Sequence, residues 1–142
     1  MSQQYREASI LLVDDDDIDA MGVERALTKL KLANPFVRAR DGIDGLEIMR
    51  SNSIVSPYLL LLDLNMPRMN GIEMLKELRA DPKLSSTVVF VLTTSDDDKD
   101  KVAAYSEHIA GYIVKNKLDS DFTELMQLLD HYWRLVELPI NE

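Results

Sequence analysis

Short apolar segments recur along the chain, and each is followed by polar or turn-forming residues. Runs of this length are typical of strands that are buried on both faces of a sheet. Between them, apolar residues are spaced as on one face of a helix. The five predicted strands cover residues 9–13, 36–40, 58–63, 87–92 and 111–114.

Helices are predicted in the gaps between these strands. The apolar spacing indicates helices over residues 18–32, 44–50 and 71–79. Ser95, with an acid three residues later, has the pattern of an N-terminal cap for a fourth helix. A fifth helix is predicted to start near Asp119 or Ser120 and to carry apolar residues as far as Val136.

The alternation of strand and helix predicts an α/β fold. Five consecutive βα units favour right-handed crossovers, with helices on both faces of a parallel sheet. The flavodoxin-like strand order 2-1-3-4-5 is one of two common doubly wound arrangements. That order would place the first, third and fourth strands side by side.

Length and composition restrict the class of protein. A chain of 142 residues is predicted to form one domain, with a core over about 8–135 and an extension of the last helix over 131–142. The net charge of -9 argues against nucleic-acid binding, and the absence of cysteine excludes thiol chemistry. No stretch suits a membrane span and residues 1–8 are too polar for a signal peptide, so a cytoplasmic location is expected.

Acidic residues follow two of the predicted strands. Asp63 ends the run of residues 58–62, and Asp14 and Asp15 follow the first strand. Parallel sheets bind ligands at the carboxyl ends of their strands, so we expect these acids to meet. Carboxylates this close either share a proton or hold a divalent cation, and oxygen ligands favour Mg²⁺ or Mn²⁺.

Two further polar groups come at later strand ends. Thr93 and Thr94 follow the fourth strand, and Lys115 follows the fifth. Acids, a hydroxyl and an ammonium on separate strands form a constellation that carries more weight than any single motif.

Four segments in order resemble the receiver domain of two-component response regulators. They are residues 10–15, 61–71, 91–94 and 112–115, and the resemblance spans about residues 8–135. Within that family the chain is most similar to small stand-alone regulators. Regulators paired with phytochrome-type histidine kinases belong to that subgroup.

The resemblance implies a phosphorylation site and a metal site. Asp63 would be the phosphoacceptor. Asp15 would bind Mg²⁺ directly, Asp14 would bind it through water, and the backbone carbonyl of Asn65 would be a further ligand. The Asp63 carboxylate would be the fourth member of this set of metal ligands. The resemblance also implies that residues 1–142 form a single receiver domain.

The resemblance also implies a switch. Thr93 would hydrogen-bond the phosphoryl group, Lys115 would pair with it, and Tyr112 would change rotamer on activation. The signal would leave through the face formed by the fourth helix, the fifth strand and the last helix. The apolar end of the last helix, from Trp133 to Ile140, leads us to expect a homodimer or a kinase contact there.

The chain departs from the family pattern at two places. Asn116 follows Lys115 where the family usually has proline, often after a cis bond, which leaves the path of that loop open. Asp16 and Asp17 stand where the subgroup has Asn and Pro. We interpret both acids as caps of the first helix, because acids are stabilised at helix N-termini.

Several alternatives stay open at this stage. The leading function is a signalling module that takes phosphate from a histidine kinase. A histidine phosphotransfer protein is a further candidate partner. Such a module gains and loses phosphate but is not expected to be a turnover enzyme. An aspartate-nucleophile phosphohydrolase is disfavoured, because Asn65 stands where that chemistry uses an acid. A phosphorylation-independent docking module is the third alternative. Tyr132 and Trp133 are interpreted mainly as core residues, and His108 and His131 as isolated.

Overall fold

The computed structural model describes residues 8–118 and 121–139. Its centre is a five-stranded parallel sheet with the order β2-β1-β3-β4-β5. The strands are β1 (Ser9–Val13), β2 (Phe36–Ala39), β3 (Tyr58–Leu62), β4 (Val88–Thr93) and β5 (Gly111–Val114). The predicted fold class and strand order are confirmed.

Helices cover both faces of this sheet. They are α1 (Asp17–Lys29), α2 (Gly42–Arg50), α3 (Gly71–Ala80), α4 (Asp98–Ser106) and α5 (Thr123–Leu135). One core joins α1 and α5 to the sheet, and the other joins α2, α3 and α4 to its opposite face. None of the helices in the described ranges combines the length and apolarity that crossing a bilayer requires.

The pleat of the central strands divides their side chains between the two cores. Leu60 and Leu62 of β3 face the core with α2 and α3, and Leu59 and Leu61 face the core with α1 and α5. Every residue of β1 and β3 is buried. The acids Asp14 and Asp63 follow directly after the last residues of these strands.

The boundaries differ from the sequence prediction at several ends. Helix α1 stops at Lys29 rather than at residue 32, and Lys31 adopts a left-handed conformation with φ 57°. Helix α2 begins at Gly42 because Asp41 caps it, accepting a hydrogen bond from the Asp44 amide. Strand β2 ends at Ala39, and β4 covers Val88–Thr93 rather than residues 87–92.

The predicted cap of α4 was wrong. Asp97, not Ser95, is the N-cap, and its side chain accepts a hydrogen bond from the Lys99 amide. The hydroxyl of Ser95 instead donates to the Asp100 carboxylate, with 2.5 Å between the oxygens. Three acids follow Ser95 in succession, so the sequence pattern offered two competing starts for this helix.

The last helix is shorter than predicted. It begins at Thr123, after Phe122 in a left-handed conformation with φ 57°, and the predicted start at Asp119 or Ser120 lies outside the described residues. It ends at Leu135, so the predicted helical extension over 131–142 stops there, and residues 140–142 are not described. Trp133 is buried in the core, as its main interpretation predicted.

Candidate functional site at the carboxyl ends of the strands

Strand register brings the two buried acids to neighbouring positions. Val13 lies opposite Leu62, so Asp14 and Asp63 both follow the last paired residues of adjacent strands. The Asp63 amide donates to the Val13 carbonyl at 2.9 Å, and the Asp14 amide donates to the Ala39 carbonyl at 3.0 Å. Backbone pairing therefore continues up to the acids and holds both buried carboxylates at this edge.

Three carboxylates meet here. Asp14, Asp15 and Asp63 each offer an oxygen, and these oxygens lie within 4.8 Å of one another. Asp15 is exposed, whereas Asp14 and Asp63 are buried. This set of hard oxygen ligands, partly open to solvent, fits a divalent cation that keeps several waters.

The Asp14 carboxyl shows the electrostatic cost of this arrangement. Burial raises its pKa from 3.8 to about 6, and the charge of Asp63 adds to the increase. Hydrogen bonds from Lys115 and from the Asp16 amide act in the opposite direction without cancelling burial. Burial, more than the neighbouring Asp63 carboxylate, therefore accounts for the raised pKa of Asp14.

Lys115 supplies the positive charge of the site. Its Nζ lies 2.8 Å from Asp14 Oδ2, 2.6 Å from Asp19 Oδ2 and 3.8 Å from Asp63 Oδ2. Burial lowers the pKa of Lys115, but hydrogen bonds to Asp14 and Asp19 raise it more, so the net direction is upward. The ammonium therefore stays charged among the acids.

The loop after Lys115 shows whether the peptide bond between Lys115 and Asn116 is cis or trans. The cis peptide bond in the described ranges joins Ser56 and Pro57, and the Lys115–Asn116 bond is trans. Residues 115–117 form a short 3-10 turn. Lys115 therefore reaches the acids without the cis bond that often follows this lysine in the family.

Asp19 is the residue of this site that sequence reasoning missed. It lies in the first turn of α1, where the Asp16 side chain caps the helix by accepting from the amides of Ile18 and Asp19. The capping interpretation of Asp16 is thereby confirmed. The capping interpretation of Asp17 was wrong: Asp17 is the first residue of α1, and its carboxylate pairs with Arg38 and Arg40. In the sequence, the one indication of this role was that Asp19 is an acid about one helical turn after Asp15. Which acid of α1 reaches Lys115 depends on how the helix is oriented against β5.

Thr93 and Tyr112 are linked through the loop that follows β4. The Thr93 side chain is fully buried, and its Oγ1 accepts a long hydrogen bond, 3.4 Å, from the Ser95 amide. The Tyr112 hydroxyl donates to the Ser95 carbonyl at 3.0 Å. Burial raises the pKa of Tyr112, so it remains a neutral donor. The two residues therefore share one loop residue as their partner.

The loop after β3 lies directly against the Asp63 backbone. The Gly71 amide donates to the Leu64 carbonyl at 3.0 Å, and a Cβ added at Gly71 would lie 2.5 Å from the Asp63 carbonyl oxygen. Only glycine permits this close approach. The Asn65 amide makes a long, 3.4 Å contact with Asp63 Oδ1. The start of α3 thus fixes the segment that carries Asn65.

The response regulator receiver domain model matches residues 10–129. The chain belongs to the response regulator receiver family. This regulator is 32% identical to the response regulator Rcp1 of Synechocystis over 135 residues, which cover 92% of each chain. It is 33% identical to FilR2 of Methanothrix harundinacea, which is described as a probable methanogenesis regulatory protein. That match extends over 127 residues, which are 87% of this chain and 82% of FilR2.

Solved receiver structures agree with this assignment. The Mn²⁺-bound form of Rcp1 superimposes with a TM-score of 0.79, covering 93% of this regulator and 99% of Rcp1. The phosphorylated cyanobacterial phytochrome response regulator RcpA is 30% identical, with a TM-score of 0.84 and coverage of 94% and 99%. The regulator is therefore a phosphoacceptor of two-component signalling, with a histidine kinase as its class of partner, and its cluster of three carboxylates could hold a metal ion.

Proposed function

We propose that Asp63 accepts the phosphoryl group from a histidine kinase in a Mg²⁺-dependent reaction. The observation that carries this proposal is the position of Asp63. Its carboxylate ends the central strand beside Asp14 and Asp15, and Lys115 Nζ lies 3.8 Å away. Asp14 and Asp19 already make short ion pairs with Lys115, whereas the contact of Lys115 with Asp63 is the longest of the three.

The reaction makes one bond and breaks one. A carboxylate oxygen of Asp63 bonds to phosphorus, and the bond between phosphorus and the donor's imidazole nitrogen breaks, with its electron pair leaving on the imidazole. The side chains of Asp14, Asp15 and Asp63, together with the Asn65 carbonyl, would hold the metal. A bound cation would offset the repulsion between the carboxylate and the incoming phosphoryl oxygens.

Lys115 and Thr93 then stabilise the product. The ammonium of Lys115 is within reach of new oxygens on Asp63, since it already lies 3.8 Å from the carboxylate. The Thr93 hydroxyl lies at the end of the neighbouring strand. Among the described residues its polar contact is a long hydrogen bond from the Ser95 amide, so it can turn toward a phosphoryl oxygen. The added charge and acceptor oxygens supply the driving force.

Movement of Thr93 would disturb Ser95, whose carbonyl accepts from Tyr112. A rotamer change of Tyr112 would then alter the face made by α4, β5 and α5. Large apolar side chains are exposed on α4 and α5, namely Val102, Tyr105, Leu128 and Leu135. This supports our proposal that phosphorylation controls a protein contact on this face, with a second copy of the chain as the first candidate.

A signalling module fits the site better than a phosphohydrolase. A phosphohydrolase of the haloacid-dehalogenase kind, which also uses an aspartate nucleophile, has its general acid/base two residues further along the chain. That residue is Asn65, whose amide cannot transfer a proton at neutral pH. We therefore propose that the regulator gains and loses phosphate on Asp63 and does not turn over a separate substrate.

The deciding experiment is incubation with Mg²⁺ and acetyl phosphate, followed by intact-mass measurement. The parent should gain one phosphoryl group, and Asp63→Asn should gain none while keeping its circular dichroism spectrum. Asp98→Asn is a matched control, because Asp98 is a fully solvated acid on α4. Labelling of Asp63→Asn at the parental level would contradict the assignment, and continuous release of phosphate at high turnover would favour the hydrolase.

Phytochrome-type kinases are the proposed phosphodonors. RcpA is described as a cyanobacterial phytochrome response regulator, and RtBRR, which is 29% identical, as a bacteriophytochrome response regulator. Phosphotransfer from such a kinase should exceed transfer from an unrelated histidine kinase. A faster transfer from an isolated histidine phosphotransfer protein would instead place this regulator within a relay.

Dimerisation can be tested at the end of α5. The Leu135 side chain is 84% exposed, and Leu135→Glu removes its apolar surface without touching the core. In the presence of beryllofluoride, light scattering should show self-association of the parent and less self-association of Leu135→Glu. A chain shortened before Trp133 would not be informative, because Trp133 belongs to the core. A monomer under all conditions would contradict the dimer.

A further inference from the structure

Lys115 has an acidic neighbour that the phosphoryl-transfer reaction does not use. The Nζ atom lies 2.6 Å from Asp19 Oδ2, closer than its 2.8 Å contact with Asp14. Asp63 is 3.8 Å away, beyond a good hydrogen bond. In this state the ammonium is therefore engaged with α1 and β1, not with the phosphoacceptor.

Asp19 is not needed to anchor the lysine. Asp14 is fully buried, accepts from the Asp16 amide and already holds the ammonium at 2.8 Å. The side chain of Lys115 is only 8% exposed, so packing also restrains it. Asp19 is 22% exposed and adds a second carboxylate to an ammonium whose position is already fixed.

The charge balance gives the sign of the effect. Three carboxylates, those of Asp14, Asp19 and Asp63, lie 2.6–3.8 Å from one ammonium, and the Asp15 carboxylate lies beside those of Asp14 and Asp63. A phosphoryl group on Asp63 adds further negative charge and needs hydrogen bonds from Lys115. Each hydrogen bond that Lys115 gives to Asp19 is unavailable to that group.

We propose that Asp19 is a positioning residue that competes with the Asp63 phosphoryl group for Lys115. This inference rests on the proposed function of Asp63 and deepens it. Asp19 accepts a hydrogen bond from the ammonium in the unphosphorylated protein and so weakens the phosphorylated state. Neutralising Asp19 releases one donor of Lys115 toward Asp63 and makes the phosphorylated state more stable.

Beryllofluoride binding measures the effect at equilibrium, because this anion occupies the place of a phosphoryl group on a carboxylate. Titrations followed by ¹⁹F nuclear magnetic resonance, at Mg²⁺ concentrations saturating for each variant, give the Kd. Asp19→Asn should bind roughly three- to tenfold tighter than the parent, about the size of the net contribution of one ordinary hydrogen bond. Asp19→Glu should return the Kd toward the parental value, and Asp19→Ser repeats the test with a smaller neutral side chain.

Asp17→Asn is the matched control. It removes the same charge from the same turn of α1, but Asp17 pairs with Arg38 and Arg40 rather than with Lys115. Its Kd should change less than twofold, on the order of what a surface ion pair contributes. An equal change in Asp17→Asn and Asp19→Asn would show that general charge reduction, and not competition for Lys115, is responsible.

A double-mutant cycle tests whether Asp19 acts through the lysine. In a Lys115→Met background, Asp19→Asn should no longer tighten binding beyond the Asp17→Asn control. Persistence of the full effect, or weaker binding of Asp19→Asn in the parental background, would overturn the inference. Failure of the parent to bind beryllofluoride would overturn the proposed role of Asp63 as well, so the two outcomes are distinguishable.

Discussion

The charged side chains at the two edges of the sheet have different kinds of partner, although both are shielded from water in part or in full. At the amino edge, the Arg79 guanidinium donates to the carbonyls of Ser85, Thr87, Glu107 and His108, at 2.7–2.9 Å. At the carboxyl edge, Lys115 faces carboxylates that also face one another. At the amino edge, neutral carbonyl groups accept hydrogen bonds from the charged side chain. At the carboxyl edge, several carboxylates of like charge lie close together.

The difference separates a structural from a functional use of charge. Desolvation lowers the pKa of Arg79, but four carbonyls solvate the guanidinium and tie the ends of α3 and α4 to the start of the sheet. At the other edge burial raises the pKa of Asp14, because the donors to its carboxylate in the described part of the chain, the Asp16 amide and Lys115, do not offset the lost hydration. A cation or a change of charge at Asp63 would therefore have a large effect only at the carboxyl edge.

Replacement of Arg79 should give the largest change in stability. Arg79→Met leaves the four carbonyls without their donor, and we expect a loss of about 3 kcal/mol in the free energy of unfolding. Urea denaturation of the purified variant measures it. Phosphorylation of the folded fraction by acetyl phosphate should be unchanged, because no group of the carboxyl edge contacts Arg79 in the described structure.

Arg50→Met provides the control for that comparison. Arg50 also lies on a helix at this end, but it is 47% exposed and pairs with Asp81 and Glu77 on the surface. Such pairs contribute about 0–1 kcal/mol. Equal losses in the two variants would mean that the carbonyl cluster around Arg79 is no more than a surface contact.

Metal binding should stabilise the carboxyl edge by an amount that depends on concentration. At a Mg²⁺ concentration about a hundred times Kd, the folded state gains about 2.7 kcal/mol. Thermal melts with Mg²⁺ and with a chelator measure this gain. Asp15→Asn should reduce it more than Asp17→Asn, because Asp15 belongs to the carboxylate cluster and Asp17 pairs with arginines. Absence of any shift in the parent would argue against the site.

The sequence predicted this edge well because backbone topology determines it. Strand order alone places Asp14 beside Asp63, and Thr93 and Lys115 at the ends of the next strands. Asp19 was not predictable in the same way. Its contact with Lys115 depends on how α1 is rotated against the sheet, and Asp17 in the same turn has a different partner.

Helix ends were less predictable than the strands for a local reason. The run from Ser95 to Asp98 offers several side chains that can cap a helix, and Asp97 takes that position. Ser95 is instead held by Asp100 and Tyr112, contacts that form only after the chain has folded. Local propensity cannot rank such alternatives when tertiary contacts decide between them.

The smallest predicted effect is on the pH dependence of stability. It tests how much the burial of the ionised Asp14 carboxylate lowers the free energy of unfolding. Its carboxyl has a pKa of about 6 in the folded protein, against 3.8 as the ordinary value. Between these values the folded state binds more protons than the unfolded state, so stability falls as pH rises through this window. Above pH 6 the carboxyl is ionised in both states, and the full penalty is present.

Asp14→Asn removes this titration. In the presence of a chelator, the free energy of unfolding of Asp14→Asn relative to the parent should increase by about 1–2 kcal/mol between about pH 4.5 and pH 7. Urea denaturation at each pH gives both values. Asp121, whose pKa Lys29 lowers to about 2, acts in the opposite direction below pH 3.8, but it is common to both proteins and cancels in the difference. A difference that stays flat, or falls as pH rises, would show that Lys115 fully compensates the buried carboxylate, and the two edges would then handle charge alike.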